Sequence, residues 1–128
     1  MSSEQTSVGV LGGTGPAGTA LAARLASIGY NVVIGSRSSE RAEEKAKEIR
    51  DAWPALNLPL RGGSNEESAA CDIVVLATPW DSAATTVREH AAALRGKVVI
   101  SMANALVRVG HEFQPLVDCQ LPLKKLLN

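Results

Sequence analysis

One hexapeptide constrains this chain more than any other feature: Gly13-Thr14-Gly15-Pro16-Ala17-Gly18. The pattern GxGxxG occurs by chance in many glycine-rich loops, so its setting decides its value. Here a short apolar run, residues 8–11, leads into it, and Pro16 stands where a helix can begin. A strand, a glycine loop and a helix in that order open a βαβ unit. In such a unit Gly13 permits the tight turn, Gly15 lets the backbone approach a pyrophosphate, and Gly18 lets the helix pack closely. The helix N-terminus offers free N–H groups to phosphate. All six residues are therefore candidate contacts of a dinucleotide. The alternative is a purely structural turn between strand and helix.

The rest of the chain repeats the alternation. Ala17, Leu21, Leu25 and Ile28 recur at helical spacing, with Gly29 as the stop. Residues 32–34 predict a second strand. Ser38 or Ser39 can cap the next helix, with Ala42, Ala46, Ile49 and Trp53 as its inner face and Glu43–Lys47 as an i,i+4 pair. Pro54 ends that helix. A weak strand is expected over 56–60, interrupted by Pro59. Ser64-Asn65-Glu66-Glu67 has the capping-box pattern of a short helix. Residues 73–77 are the clearest strand. Asp81 or Ser82 can cap a following helix with Ala84, Val87, Ala91 and Leu94 inward, closed by Gly96. Residues 98–100 complete a fifth strand. Strands apolar on both faces, alternating with helices, predict an α/β fold: a doubly wound parallel sheet of about five strands, a Rossmann-type NAD(P)-binding domain. Residues 1–117 form this one domain and 118–128 a short tail.

Bulk composition narrows the partners. Only 3% of the 128 residues are aromatic against 45% hydrophobic, so the core must be aliphatic. The formal net charge is zero, which offers no field for nucleic acid or an anionic membrane. Cys71 and Cys119 form no CxxC pair, and with His90 and His111 they show no ligand spacing, so no metal site is expected. The start, residues 1–7, is polar, and no apolar run nears the roughly 20 residues that span a bilayer. A soluble, cytoplasmic protein is expected.

The tip of the second strand discriminates between dinucleotides. NAD-binding domains place an acid there to accept from the ribose 2′-hydroxyl. This chain reads Gly35-Ser36-Arg37-Ser38-Ser39-Glu40-Arg41. Ser36 can donate to a 2′-phosphate, Arg37 can bind it as a charged fork or stack on adenine, and Arg41 can join from the helix. NADP(H) is thus favoured over NAD(H). The alternative makes Arg37 and Arg41 solvated helix-start residues, although basic side chains in a first turn oppose the helix dipole. Thr78, Pro79 and Trp80 follow the fourth strand, at the tips where ligands of such sheets bind. Thr78 can reach a ribose or phosphate and Pro79 stiffens the turn. Trp80 either flanks the nicotinamide or packs beneath the next helix. Asn104, after the fifth strand, is a further candidate. Asp81 reads as a helix cap and His90 as a solvated outer-face residue.

Three segments in order, Val10-Leu11-Gly12-Gly13-Thr14-Gly15-Pro16, Gly35-Ser36-Arg37 and Pro79-Trp80-Asp81, resemble the nucleotide-binding part of the NADPH-dependent F420 reductases, the F420:NADP oxidoreductases. A more distant resemblance is to the cytosolic domains of the six-transmembrane metalloreductases. The likeness runs over about residues 8–117. It implies hydride transfer between NADPH and the deazaflavin coenzyme F420, with Thr14, Ser36 and Arg37 matching family contacts to NADP, the last two at its 2′-phosphate. It implies no catalytic acid or base, because the chemistry belongs to the two cofactors. The tail departs from the family, whose members continue with a segment that completes the sheet and much of the deazaflavin pocket. The chain is thus truncated relative to the family.

Three readings follow: an oxidoreductase completed by a partner or dimer mate, a non-catalytic NADP-binding module or fragment, and a reductase of another acceptor such as a flavin or imine. An unpaired sheet edge and the apolar tail residues Leu121, Leu123, Leu126 and Leu127 lead us to expect the tail to fold back or to dock in a two-fold homodimer.

Overall fold

The computed structural model describes residues 5–115. Five parallel strands make one sheet: β1 Ser7–Leu11, β2 Asn31–Ser36, β3 Leu60–Ser64, β4 Ile73–Leu76 and β5 Val98–Ser101, in the order β3-β2-β1-β4-β5. Helices α1 Pro16–Ser27 and α2 Ser39–Ala52 join β1 to β2 and β2 to β3. Helix α3, Asn65–Ala69, follows β3, and α4 Trp80–Glu89 and α5 Ala91–Leu94 follow β4. A hairpin of β6 Leu106–Val109 and β7 Glu112–Pro115 ends the described chain. This is the doubly wound, Rossmann-type sheet that the alternation predicted. The hairpin was not anticipated. The tail at 118–128, the boundary before it and Cys119 lie outside the described residues.

Successive residues of a strand serve opposite faces. Val8, Val10, Val32, Ile34 and Leu60 pack with Ala22, Ala26, Ala42 and Ala46 of α1 and α2. On the other face Leu11, Val74 and Leu76 pack with Ala69, Ala83 and Leu94. Both cores are aliphatic, as expected. The small residues facing the sheet bring the helices close. In α1 the buried line is Gly18, Ala22 and Ala26. The expected face was one position out of phase: Leu21 and Leu25 flank that line, and Ala17 and Ile28 are exposed. Bulk misled the reading, since the sheet accepts the smallest residues and the leucines fill the sides.

Other expectations need correction. Strand β3 starts at Leu60, not 56, because Pro54 opens a 3-10 turn, Pro54–Leu56, and Asn57 takes a left-handed conformation at φ 45°. Two glycines hid the strand. A side chain on Gly62 would strike the α2 backbone at Ala42 and Glu43, so α2 can lie against β3 only because Gly62 has none. Trp53 is 60% exposed and lies off the inner face of α2. Glu43 does not pair with Lys47. It pairs with Arg50 at 2.6 Å, while Lys47 takes Asp51 at 2.6 Å. Helix α4 begins at Trp80 with Pro79 before it, so Asp81 and Ser82 lie in its first turn and neither caps it. Its buried residue is Ala83 rather than Ala84. His90 is buried, not solvated: the helix breaks there and its backbone N–H closes on Thr86 and Val87. Ala91 is exposed. Strand β5 is apolar, yet among the described residues nothing covers it and all four of its residues are exposed.

Capping follows the sequence elsewhere. Ser38 accepts from Arg41 N–H at the head of α2, and Ser64 with Glu67 forms the full capping box of α3.

Candidate functional site

The chain enters α1 through a loop built by mutual contact. Gly12 holds φ at 64°, the left-handed region that glycine enters without strain. The tight turn therefore lies at Gly12, where the sequence pointed to Gly13. Gly13 instead presses on Val10, and a Cβ on Gly18 would meet the Gly13 backbone at 2.8 Å. Gly13 N–H donates to Gly35 O at 3.0 Å, tying the loop to the tip of β2. Gly15 differs from all of these: nothing lies within 4 Å of where its Cβ would stand. The space in front of Gly15 is thus free for a ligand, with the first turn of α1 behind it.

Two clefts meet at this loop, above the C-terminal tips of the strands. The larger, about 680 Å³, runs towards β2 and β3 and is lined by Thr14, Ser36, Arg37, Arg41, Asn65 and Thr78, with α4 supplying Thr85 and Glu89. The smaller, about 480 Å³, runs towards β5 and is lined by Gly15, Pro16, Ala17, Gly18, Trp80, Met102 and Asn104. Gly12, Thr14, Thr78 and Pro79 border both. Every candidate residue from the sequence except Gly13 lines one cleft or the other. Gly13 is buried beneath the loop.

The larger cleft is electropositive at the β2 tip. Arg37 and Arg41 are exposed, and neither pairs with a carboxylate among the described residues. Glu40 lines neither cleft, and the lone carboxylate on the wall, Glu89, comes from α4. The Ser36 hydroxyl accepts from Ser38 N–H at 3.2 Å, which leaves its own proton free to donate. Thr78 provides a second sign of a ligand. Its Oγ1 is buried and, among the described residues, is the single buried side-chain polar atom without a partner. A buried hydroxyl left so is costly unless something enters to satisfy it. Trp80, half-buried at the head of α4, lines the smaller cleft.

Two residues escaped the sequence reading. Gly12 carries the turn, and Asn65 accepts the Gly12 N–H on Oδ1 at 3.2 Å across 53 residues of sequence. The capping box located Asn65 at a helix start, but no local signal aims its side chain at the glycine loop. Among the described residues no group of His, Cys, Asp and Glu could hold a metal ion. No described helix is long and apolar enough to cross a membrane.

Comparison with known proteins agrees with this geometry. Residues 7–105 match the family described as NADP oxidoreductase, coenzyme F420-dependent. The F420-dependent NADP reductase of Methanothermobacter marburgensis is 36% identical over 94 residues, which are 73% of this chain and 42% of that protein. The reductase of the same description from Methanocaldococcus jannaschii is 35% identical over 98 residues, 74% of this chain and 44% of its own length. A crystal structure from Arthrobacter sp. FB24, provisionally described as an F420-dependent NADP reductase, superposes with a TM-score of 0.64 at 26% identity, over 86% of this chain and 50% of that one. The chain thus spans less than half the length of the curated relatives it matches.

Proposed function

The chain belongs to the coenzyme F420-dependent NADP oxidoreductase family, and from that premise we propose that it binds NADP(H) across the two clefts and serves hydride transfer between NADPH and coenzyme F420. The observation that carries this reading is the larger cleft: a β2 tip without an acid, bearing Ser36 and Arg37, with Arg41 one turn into α2. The fit of the residues to the cofactor is good. Open space at Gly15 suits a pyrophosphate, and the orphaned Thr78 hydroxyl suits a ribose or phosphate oxygen between the clefts. Ser36, Arg37 and Arg41 would hold the 2′-phosphate. Trp80 and Asn104 would border the nicotinamide end, with Met102 beside them.

When bound, NADPH would supply the hydride and F420 would accept it together with a proton from solvent, so no side-chain proton donor is required of the protein. The protein's share is position. The glycine loop and the arginines would hold one end of the dinucleotide, and the residues of the smaller cleft would border its nicotinamide end. Burial pushes the Cys71 thiol up, which keeps it protonated and gives it no part in the transfer.

Calorimetry with NADPH and NADH, followed by a hydride-transfer assay with F420 and flavin acceptors, tests the proposal. NADPH should bind more tightly. Arg37→Ala should cost NADPH about 1.5–3 kcal/mol and leave NADH nearly unchanged. Equal affinity for both dinucleotides would remove the basis for NADP(H). Tight NADPH binding without turnover on any acceptor would instead make the chain a nucleotide-binding module.

A further inference from the structure

We propose that Asn65 is a further specificity-determining residue, donating from its side-chain amide to the 2′-phosphate of NADP(H); the proposal rests on the functional reading above. Strand register supplies the first ground. Ser36 of β2 stands opposite Ser64 of β3, so the residues that follow, Arg37 and Asn65, leave neighbouring strand tips side by side. Both line the larger cleft together with Ser36. The Asn65 side chain lies against the β2 backbone just before Ser36, with Oδ1 3.0 Å from the Cβ position of Gly35.

The second ground is the direction of the amide. Oδ1 accepts the Gly12 N–H, a donor that cannot be exchanged for an acceptor, so the two ends of the amide are assigned by chemistry. The nitrogen end is then the free end. Its two N–H donors bond to no described residue, and Asn65 lines the cleft together with Ser36, Arg37, Ser38 and Arg41. A neutral donor beside a guanidinium is suited to a phosphate, which presents several acceptor oxygens at once. The same side chain thus holds the phosphate loop in its left-handed turn at Gly12 and offers a donor to the phosphate that distinguishes the two dinucleotides.

Asn65→Asp separates these roles. A carboxylate still accepts from Gly12 N–H, so the loop stays held, but it offers no donor and repels a phosphate. We expect the Kd for NADPH to rise at least roughly tenfold, with NADH unchanged or tighter, since a carboxylate can accept from a ribose 2′-hydroxyl. Asn65→Ala, which loses both the acceptor for Gly12 N–H and the donor to the phosphate, should weaken both dinucleotides, NADPH more than NADH. If Asn65→Asp weakens both equally, or neither, Asn65 only supports the loop and the proposal fails. In the wild-type protein the Asn65 side-chain amide resonances should shift on titration with adenosine 2′-phosphate. Unmoved resonances under saturating ligand overturn the proposal independently of any variant. A wild-type chain that binds neither dinucleotide overturns the functional reading, and this proposal with it, whereas NADPH preference with a silent Asn65 overturns this proposal alone.

Discussion

The two edges of the sheet are built from strands of opposite chemistry, and their burial runs against it. β3 reads Leu-Arg-Gly-Gly-Ser, yet Leu60 and Gly63 are buried. β5 reads Val-Val-Ile-Ser, yet Val98 is 61% and Ile100 49% exposed. The difference is cover. At the β3 edge α2 supplies a clamp: Arg50 donates to Leu60 O and to Glu43, both at 2.6 Å, and Glu43 accepts Gly62 N–H at 2.7 Å. Outward backbone groups of an edge strand are thereby satisfied by side chains. β5 has no comparable clamp among the described residues. Burial here follows from which strand has a helix laid against it, more than from how apolar the strand is. The finished edge also lies beside the cleft with the arginines, and the open edge beside the cleft with Trp80.

The largest effect should come from forcing the covered edge apart. Gly62→Val drives a side chain into the α2 backbone, and we expect a loss of at least about 3 kcal/mol in urea unfolding. A variant as stable as wild type would show that α2 does not depend on the absence of a side chain there. Next in size is Gly15→Val, which meets open space and not a neighbour. Its melting temperature should stay near that of wild type while both dinucleotides lose measurable affinity, because the side chain fills the pyrophosphate position. Normal NADPH titration of that variant would move the phosphate site elsewhere.

Acid should loosen the clamp. Hydrogen bonding from Gly62 N–H, then from Arg50, holds the Glu43 carboxyl below its ordinary 4.5. A lowered folded-state value means the stabilisation is complete above pH 4.5 and is lost as pH falls through that lowered value. Glu43 is half-exposed, so solvent screening limits the contribution to about 1 kcal/mol. Glu43→Gln should cost that much at neutral pH and progressively less in acid. A gap independent of pH would mean that the charge plays no part. Asp72 acts in the same direction at the opposite end of the strands, where the Ser7 N–H and hydroxyl hold its carboxyl below 3.8. The smallest effect belongs to the open edge. Ile100→Lys should change stability by no more than about 0.5 kcal/mol, because the side chain already faces solvent. A large loss would reveal that β5 is covered in solution.

The region around the glycine loop was readable because its signals are local. A glycine loop between strand and helix, a serine cap at Ser38, a capping box at Ser64 and an acid-free tip at Ser36-Arg37 each occupy a few consecutive residues. The failures lie where bulk or apolarity stood in for packing. Leu21 and Leu25 drew the inner face of α1 away from Gly18 and Ala22, and the glycines of β3 concealed a strand. The β6–β7 hairpin turns at Gly110, with φ 64°, between two short extended runs. That glycine was the available signal for the turn.

By itself, the sequence determined the alternation of the five sheet strands with helices, the place of the glycine loop and the charge at the β2 tip, all of which depend on neighbours within a turn or two. Tertiary structure alone decided that His90 turns inward, that no described helix covers β5, that Glu43 joins Arg50 and Gly62, and that Asn65 meets Gly12. Those outcomes depend on which backbones come within contact of each other across dozens of residues. Period and propensity describe one element at a time, and that information arises only when the sheet closes.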